Sequence, residues 1–349
     1  MAYTTIDNPE LYFQTKLYTG NDGTNAITLD GSENMQPDWV WIKSRNHTYS
    51  HSLFDSVRGI KKELNSNATT AEENENDMLQ LFNSDGFTLG SAGGVNNSSY
   101  NYASWNWKAG GSASSNSNGS ITSSVSADTT AGFSIVSYTG TGSAATVGHG
   151  LSAVPKMFMV KRRDSSGSWQ VYHGTQGATK FLVLNQTGGV QTASSRWNNT
   201  EPTSSVFTVN TDPDVNGSSA TYIAYCFAEK KGYSKFGSYT GNGNADGPFV
   251  YTGFKPAWVM FKPAGESADW TIVDNKRNTF NVVKDKTLNA NLSSAEHDGS
   301  MDTDFLSNGF KIRNANTDNN SSNAPGIIYM AFAESPFVTG ASAIPTTAR

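Results

Sequence analysis

Residues 212–217, Asp-Pro-Asp-Val-Asn-Gly, carry the alternating oxygen donors with which a calcium loop begins. In such a loop the side chains of Asp212, Asp214 and Asn216 can surround one hard cation. The twelfth position, however, is Ile223 instead of the glutamate that completes the ligand set. We therefore predict a strand-connecting turn that uses these residues for their backbone geometry, with Ca²⁺ binding as the alternative and no other cofactor.

A second set of aromatic and polar residues is suited to contact a glycan, because an aromatic ring offers a sugar an apolar platform with a polar edge. Trp197 and its neighbour Arg196 stand in a polar loop, and Trp169 and His173 flank a short apolar segment. We predict that these four residues are exposed in loops and bind a ligand. The tryptophans that lie inside apolar strand patterns, where a core role is favoured, are Trp39, Trp41, Trp105, Trp107 and Trp258.

The sequence contains no residue pattern that is typical of a catalytic site. Its five histidines lie without a nucleophile elbow, a zinc-binding helix or a Cys-x-x-Cys pair. Asp55, Asp274, Asp302 and Asp304 are available as the two carboxylates of a glycosidase, but their separation in space cannot be derived from the sequence. We predict a protein without catalytic residues, and a glycan hydrolase remains an alternative.

The elements that must position these residues are repeated three times along the chain. Each repeat opens with Tyr-Thr-Gly, at Tyr18, Tyr138 and Tyr239. It continues with a proline and an apolar strand that ends in lysine, and the three versions are PDWVWIK, PKMFMVK and PAWVMFK. Each repeat then closes on an aromatic strand. Internal repetition of this kind indicates one architecture built three times.

Two alternation patterns predict which strand faces are buried. Along 39–42 tryptophans alternate with aliphatic residues, so both faces are apolar and this strand should be central. Along 104–107 tryptophans alternate with Ser104 and Asn106, which predicts one buried and one wetter face. His173 falls at the repeat position where the other two repeats carry aspartate.

Short strands separated by Asn, Asp, Gly and Ser clusters predict an all-β fold of three tandem antiparallel β-sandwich repeats, of the jelly-roll or lectin-like kind. Residues 71–82 are an exception, since this acidic stretch predicts two or three helical turns capped by Thr70. The basic cluster 161–163 is expected at a solvated strand end. The predicted segments are an N-terminal anchor arm at 1–14, repeats at 15–109, 133–232 and 233–337, a Gly/Ser-rich linker at 110–132, and a C-terminal tail at 338–349.

Composition excludes several classes of protein. Only 16% of the 349 residues are charged and the net charge is -5, so no basic field gathers phosphates, which argues against nucleic-acid binding. The sequence has no run of 18 apolar residues, so it predicts no membrane insertion. The N-terminus lacks a signal peptide, so we expect synthesis and assembly in the cytoplasm. The single cysteine, Cys226, excludes an internal disulfide, so stability must come from packing or assembly.

The amino-acid sequence of the repeats resembles that of a family of virion-associated proteins from marine and other environmental tailed bacteriophages. The phrases that carry the resemblance are FQTKLYTGNDGTNAITLDG at 13–31, PDWVWIKSR at 37–45, YASWNWKAGG at 102–111 and SITSSVSADTTAGFSIVSYTGTGSAATVGHGLSAVPKMFMVKRRD at 120–164. The resemblance implies a tail-fibre, tail-associated or other virion surface component with lectin-like β-sandwich modules and no established catalytic residues. It also implies a homo-oligomer, with a trimer as the first expectation.

These observations together predict a non-enzymatic bacteriophage virion structural protein on the particle surface, most simply a tail-fibre or tail-associated host-attachment component. The expected partners are other virion proteins, reached through the arm at 1–14, and a host surface glycan. A capsid decoration or head-fibre protein that binds the shell is the alternative, because both roles need a stable β scaffold, a small anchor and a polar exterior.

Overall fold

A computed structural model describes residues 3–278, 285–298, 301–323, 325–339 and 346. The fold is all-β and is built from antiparallel sheets, with only four short α-helical turns among the described residues. No helix in these ranges has the length and apolar character needed to cross a membrane. The strands group into three successive units, which we call the first unit (9–107), the second unit (114–227) and the third unit (234–336).

The first unit has a main sheet and a small sheet. Its elements are the 3₁₀ helix Pro9–Leu11, β1 (Phe13–Thr19), β2 (Asn25–Ile27), β3 (Trp39–Ser44), β4 (Ser52–Asp55), β5 (Lys62–Glu63), β6 (Glu73–Asn74), β7 (Leu79–Phe82), β8 (Phe87–Leu89), α1 (Gly93–Asn96) and β9 (Asn101–Trp107). The main sheet has the order β1-β9-β3-β4, the small sheet has the order β2-β8-β7, and β5 pairs with β6.

The second unit has the same plan and a wider main sheet. Its elements are β10 (Ser114–Asn116), β11 (Ser123–Asp128), β12 (Phe133–Thr139), β13 (Ala145–Gly148), β14 (Met157–Arg162), β15 (Gln170–His173), β16 (Lys180–Val183), β17 (Gln191–Thr192), α2 (Ser194–Trp197), β18 (Val206–Val209), α3 (Pro213–Asn216) and β19 (Thr221–Phe227). The main sheet has the order β10-β11-β12-β19-β14-β15-β16-β17, and β13 pairs with β18.

The third unit closes the series. Its elements are β20 (Ser234–Tyr239), β21 (Phe249–Tyr251), β22 (Phe254–Pro263), β23 (Thr271–Asp274), β24 (Leu288–Asn289), β25 (Thr303–Leu306), β26 (Gly309–Ile312), α4 (Thr317–Asn320) and β27 (Ile327–Pro336). The main sheet has the order β20-β27-β22-β23-β24, and the small sheet has the order β21-β26-β25. In all three units the last strand therefore lies between the strand that carries the tyrosine of the Tyr-Thr-Gly motif (β1, β12 or β20) and the apolar strand that follows the proline (β3, β14 or β22).

In each unit the Tyr-Thr-Gly motif bonds the end of its own strand (β1, β12 or β20) to the helical turn before the last strand. In the second unit Tyr138 stacks on Tyr222 and donates its hydroxyl to the carbonyl of Val215 at 2.7 Å. A Cβ on Gly140 would lie 2.3 Å from the carbonyl oxygen of Gly217, so only glycine fits this close approach. The equivalent hydroxyl bonds in the other units join Tyr18 to Val95 and Tyr239 to Asn319.

The inner faces of the three main sheets pack on one another around a single aromatic core. The Trp39 ring lies 4.4 Å from the ring of Tyr225 in the second unit, measured between centroids. Trp107 contacts Trp258 of the third unit at 5.7 Å, and Phe227 contacts Phe332 at 6.1 Å. Since each main sheet thus touches the other two, the three sheets enclose one core, to which each contributes aromatic rings.

Strand β3 shows how one strand serves two cores, and its predicted central, buried position is confirmed. Trp39 and Trp41 face the shared core, whereas Val40 and Ile42 face the small sheet of their own unit. All four residues have no exposed surface. The tandem sandwiches that the sequence predicts are therefore not confirmed, because the main sheets bury their inner faces against each other and not within separate domains.

Two segments differ from their predicted structure. The predicted linker at 110–132 is not confirmed, because it contains β10 and β11, whose backbone groups pair with each other and with β12. These two strands at the margin of the sheet need only the backbone bonds and a few buried side chains such as Val125, so a Ser-rich sequence suffices. The helix predicted at 71–82 is wrong, since this segment contains β6 and β7.

Several polar side chains expected in solvent are buried. Ser104 and Asn106 have no exposed surface, and the Asn106 amide donates to the carbonyl of Gln14 at 3.1 Å, so the predicted wetter face is wrong. Lys161 is also fully buried instead of solvated, and its Nζ donates to the carbonyl of Arg162 at 2.7 Å. Burial lowers the pKa of Lys161 to about 8. The strand-end lysines of the other units, Lys43 and Lys262, are equally buried.

The start of the predicted N-terminal anchor arm packs on the third unit and on the residues just before it, whereas residues 9–14 belong to the first unit. The Tyr3 hydroxyl donates to the carbonyl of Gly253 at 2.7 Å, and Thr4 Oγ1 donates to the carbonyl of Lys231 at 2.7 Å. Ile6 is 2% exposed and joins the shared core. Most of the predicted tail at 338–349 and the first two residues of the arm lie outside the described residues.

Candidate functional site

Trp197 is a core residue, so its predicted exposure is wrong. It ends the helical turn α2 and is fully buried, with its ring edge against Phe158 at 4.8 Å between centroids. Its indole Nε1 donates to the carbonyl of Lys180 at 3.1 Å. The surrounding sequence is polar, but one helical turn directs this single large apolar side chain inward. Trp197 therefore presents no ring face to a ligand.

Trp169 and His173 are also buried. Both lie at a contact between two units, which we call a joint. Trp169 stacks on Tyr225 and donates from Nε1 to the carbonyl of Asn65 in the first unit at 2.9 Å. His173 is 1% exposed, and its Nε2 lies 3.3 Å from the carbonyl oxygen of Tyr329 in the third unit. Burial lowers the pKa of His173 to about 4, so the imidazole is neutral at pH 7. Their predicted exposure is therefore wrong as well.

Arg196 is the only one of the four candidates with a partly exposed side chain, and it lies beside two of the predicted calcium ligands. Its guanidinium forms an ion pair with Asp212 and donates from Nε to Gln170 Oε1 at 2.9 Å. Gln170 in turn donates from Nε2 to Asp214 Oδ2 at 2.9 Å. The guanidinium also lies over the Phe181 ring, 4.6 Å from its centroid. No pattern in the sequence indicates that these residues lie together.

The predicted turn at 212–217 is a helical turn between β18 and β19. Asp212 caps α3 by accepting a hydrogen bond from the backbone N–H of Asp214 at 2.9 Å. Asn216 is fully buried, and its Oδ1 accepts from the Thr141 backbone N–H at 2.8 Å while its Nδ2 donates to the carbonyl of Ser143 at 2.6 Å. Each of the three residues thus has a protein partner, and calcium binding there stays a prediction.

Another group of carboxylates could hold a cation, and sequence analysis missed it. Ligand atoms of Glu63, Glu73 and Glu75 lie within 4.8 Å of one another. Burial, reinforced by the neighbouring carboxylates, raises the pKa of Glu63 to about 7, although hydrogen bonds from Ser52 and Asn65 act in the opposite direction. The missed signal is the i, i+2 spacing of Glu73 and Glu75. In an extended strand this spacing places the side chains of Glu73 and Glu75 on the same face, whereas a helix would point them in different directions.

The buried ionisable residues mostly form joints between units. At the joint between the first and second units, Asp55 forms a fully buried ion pair with Arg58 and accepts a hydrogen bond from the Tyr225 hydroxyl at 2.7 Å. Glu72 of the first unit bridges Arg58 at 3.3 Å and Arg163 of the second unit at 2.9 Å. Two carboxylates and two guanidinium groups thus neutralise one another across the joint.

The joint between the third and first units repeats this arrangement with different residues. Asp274 pairs with Arg277 at 2.6 Å and accepts from Trp105 Nε1 at 3.1 Å. Glu296 bridges Arg277 at 3.3 Å and Arg45 of the first unit at 2.8 Å. Burial alone would raise the pKa of Asp274, but the Arg277 charge and the hydrogen bonds from Arg277 and Trp105 hold it below its ordinary value.

The third joint, between the second and third units, lacks this arrangement of carboxylates and arginines among the described residues, and the buried Lys262 donates across it to the carbonyl of Thr187 at 2.6 Å. The strand registers confirm that His173 holds the place of the two joint aspartates, because the matched pairs are Met157 with His173, Trp39 with Asp55 and Trp258 with Asp274. Val190 and Ala264 occupy the places of the bridging glutamate and its arginine partner, and the backbone bond from Val190 N–H to the Ala264 carbonyl, 2.7 Å, is kept.

These contacts limit what the candidate carboxylates can do chemically. Asp55 and Asp274 are fully buried, belong to different units and are each engaged by an arginine. Asp304 pairs with Arg313 at 2.6 Å. Partial burial, reinforced by nearby aspartates, raises the pKa of Asp302. Asp55 and Asp274 therefore lie apart in two different joints, and neither faces an open substrate site.

The fold and the joints define an all-β protein in which three equivalent units close around one core. The chain belongs to the family described as Domain of unknown function (DUF7483), whose model matches residues 8–336. This one match begins just before β1 and ends with β27, so it spans all three units. Searches of curated proteins and of solved structures find no match to this chain.

Proposed function

We propose that this chain is a non-enzymatic structural protein of a bacteriophage particle, in a tail-fibre or tail-associated position where it helps the particle attach to its host. The proposal rests on the sequence resemblance to virion-associated proteins and on one structural observation. This observation is the shared core, which fixes three units in one rigid body. A rigid body keeps the geometry of a binding surface and lowers the entropy lost on attachment.

The inter-unit joints support a scaffold role. Catalytic groups in an enzyme lie where substrate can reach them, but Asp55, Asp274 and His173 each contact a residue of another unit. Copies of such a body on one particle would strengthen weak single contacts with a host surface glycan through multivalency. The outer partners are other virion proteins and the host glycan.

A capsid decoration or head-fibre protein is the second candidate, and the dimensions of the fold favour it. The longest strands among the described residues, β22 and β27, have ten residues each. At about 3.3 Å per residue such a strand spans about 33 Å, which gives a short projection. No described segment forms the long shaft that carries a tail fibre away from the particle.

The oligomeric state is part of the proposal. We expect a homo-oligomer, with a trimer as the first form to test. A threefold repetition already exists inside one chain, so a trimer of chains would carry nine units. Light scattering or native mass spectrometry of the purified chain measures the number of copies directly.

Localisation on the particle tests the proposal. Cryo-electron microscopy of intact virions, with gold labelling against the third unit as an independent marker, shows where the protein lies. Density at the tail tip or collar supports host attachment. Density at regular capsid positions contradicts the tail role and supports decoration, and absence from purified particles contradicts both. Incubation with host polysaccharide tests the hydrolase alternative, which requires release of sugar.

A further inference from the structure

A polar cleft of about 110 Å³ lies between the first and third units. Strand β1 and the 3₁₀ helix before it form one wall, and the ends of β22, β23 and β27 form the other. The lining residues are Glu10, Phe13, Gln14, Thr15, Ala257, Asn275, Lys276, Ala333 and Glu334. One water needs roughly 10–15 Å³ by the same measure, so this cleft has room for a ligand larger than a single water.

Two polar atoms of the cleft lack a hydrogen-bond partner among the described residues. One is the hydroxyl oxygen of Thr15, a residue that is only 4% exposed. The other is the Oδ1 atom of Asn275, whose Nδ2 donates to Glu334 Oε2 at 2.8 Å. A buried polar atom without a partner costs about 1–3 kcal/mol, so such atoms are rare unless something else satisfies them.

The charges of the cleft favour a neutral ligand. Glu10 and Glu334 supply carboxylates, and the Lys276 ammonium stands exposed beside them. Lys255 neutralises Glu334 through a 2.7 Å ion pair. An anionic ligand would meet the two carboxylates and a cationic ligand would meet the two ammonium groups, so neither gains a net attraction. A ligand with hydroxyl groups can donate to Asn275 and exchange hydrogen bonds with Thr15.

The apolar part of the cleft fits the same ligand class. Phe13, Ala257 and Ala333 lie among the polar residues, and each is less than a tenth exposed. A sugar ring combines hydroxyl groups with apolar C–H faces, and a site that mixes apolar contacts with a few placed polar groups is typical for small ligands. A small neutral polyhydroxylated ring therefore matches the cleft in charge, polarity and size.

We propose that this cleft binds one saccharide ring, with the Thr15 hydroxyl and the Asn275 carboxamide oxygen hydrogen-bonded to ring hydroxyls. This inference deepens the host-attachment role and rests on it for the source of the ligand, a host surface glycan. Among the described residues the three units are not equivalent at this site. Backbone bonds place Ser56 and Gly174 at the position of Asn275, so the equivalent positions lack the carboxamide.

Saccharide titrations of the full-length chain test the inference. The probes are the methyl glycosides of glucose, galactose, mannose and N-acetylglucosamine, followed by saturation-transfer difference NMR. Loss of one hydrogen bond to the ligand should weaken binding about tenfold in Thr15→Val and in Asn275→Ala. Thr19→Val is the matched control, because Thr19 lies on the same strand outside the cleft and donates to Asn101. Its affinity should equal that of the unaltered chain.

Thermal unfolding separates a binding effect from misfolding. The Thr15 hydroxyl has no partner in the described part of the chain, so Thr15→Val should melt at the same temperature as the unaltered chain or higher. Saturable binding to none of the four probes overturns the inference, and so does equal binding by Thr15→Val.

Attachment assays separate this inference from the host-attachment role. If the purified chain binds host cells equally well with and without the two cleft substitutions, the cleft site is overturned and the attachment role is left intact. Particles that attach to the host normally without this protein overturn the attachment role itself. If particles without this protein attach normally but the purified chain still binds a saccharide, the saccharide site in the cleft remains supported.

Discussion

The hydroxyl of Tyr225 in the second unit donates a 2.7 Å hydrogen bond to the carboxylate of Asp55 in the first unit, and neither residue is exposed. At the next joint along the body, Trp105 of the first unit donates to Asp274 of the third at 3.1 Å. His173 completes the series by facing the third unit from the second. Each unit thus contacts the next through one strand position, and the third unit returns to the first.

Removing the Tyr225 hydroxyl should destabilise the whole protein. Tyr225→Phe leaves the Asp55 carboxylate buried with one donor fewer, which should lower the free energy of unfolding by about 1–3 kcal/mol. Urea denaturation followed by tryptophan fluorescence measures the change. Tyr100→Phe is the control, because Tyr100 is only half-buried and its hydroxyl makes no hydrogen bond among the described residues.

The joint between the third and first units should depend on pH through Asp274. Asp274→Asn leaves Arg277 buried without its counter-charge, so unfolding should become about 3–5 kcal/mol easier at pH 7. The folded-state pKa of Asp274 is lowered, so its contribution exists above the ordinary carboxyl pKa and is lost as the pH falls through the folded value. The difference between the two proteins should therefore shrink below about pH 4.

Denaturation curves of both proteins from pH 7 downward test this expectation. The surface substitution Asp30→Asn, at a carboxylate that pairs with Lys16 and is half exposed, should change stability by less than about 1 kcal/mol. A constant difference between Asp274→Asn and the unaltered chain at all pH values would contradict the role assigned to the carboxylate charge.

The joint between the second and third units should also lose stability in acid, through the imidazole of His173 instead of a carboxylate. The unfolded chain protonates His173 near its ordinary pKa of 6.5, whereas the folded chain does so only at about 4. Between these values unfolding takes up a proton, so stability falls as the pH is lowered. His173→Gln should remove on the order of 3 kcal/mol of this loss. An acid profile of His173→Gln identical to that of the unaltered chain would refute the assignment.

The glycine of the repeated motif should tolerate no side chain. Gly140→Ala places a Cβ 2.3 Å from the carbonyl oxygen of Gly217, so the first strand or the turn must shift. Overpacking of this kind costs about 1–3 kcal/mol. Calorimetric unfolding measures the loss. Gly23→Ala is the comparison, because its nearest neighbouring atoms lie 3.8 Å away, and an equal loss there would show that close packing is not the cause.

The succession of strands along each unit follows from the sequence, because the repetition and the alternation of apolar residues are local patterns. The alternation along 39–42 predicts that both faces of β3 are buried, and they are. It does not predict what covers the tryptophan face, since a neighbouring sheet of the same unit and a sheet of another unit are equally apolar. The shared core is therefore visible only in the folded chain.

The candidate site was harder to predict than the fold. Trp197 lies among polar residues, and the single turn of helix that buries it is too short to leave a periodic pattern. The cleft residues Thr15 and Asn275 are 260 positions apart, with no shared motif. Only the return of the third unit to the first brings them together, so no local signal could have identified them.

The closed ring of units has a consequence for synthesis of the chain. Trp105 and Asp274 are 169 positions apart, so the first unit leaves the ribosome long before its second neighbour is made. At 5–20 residues per second the delay is on the order of ten to thirty seconds. During that time the tryptophan-rich inner face of the first unit has nothing to cover it and can aggregate or recruit a chaperone. The nascent protein is therefore most vulnerable before its last strand appears.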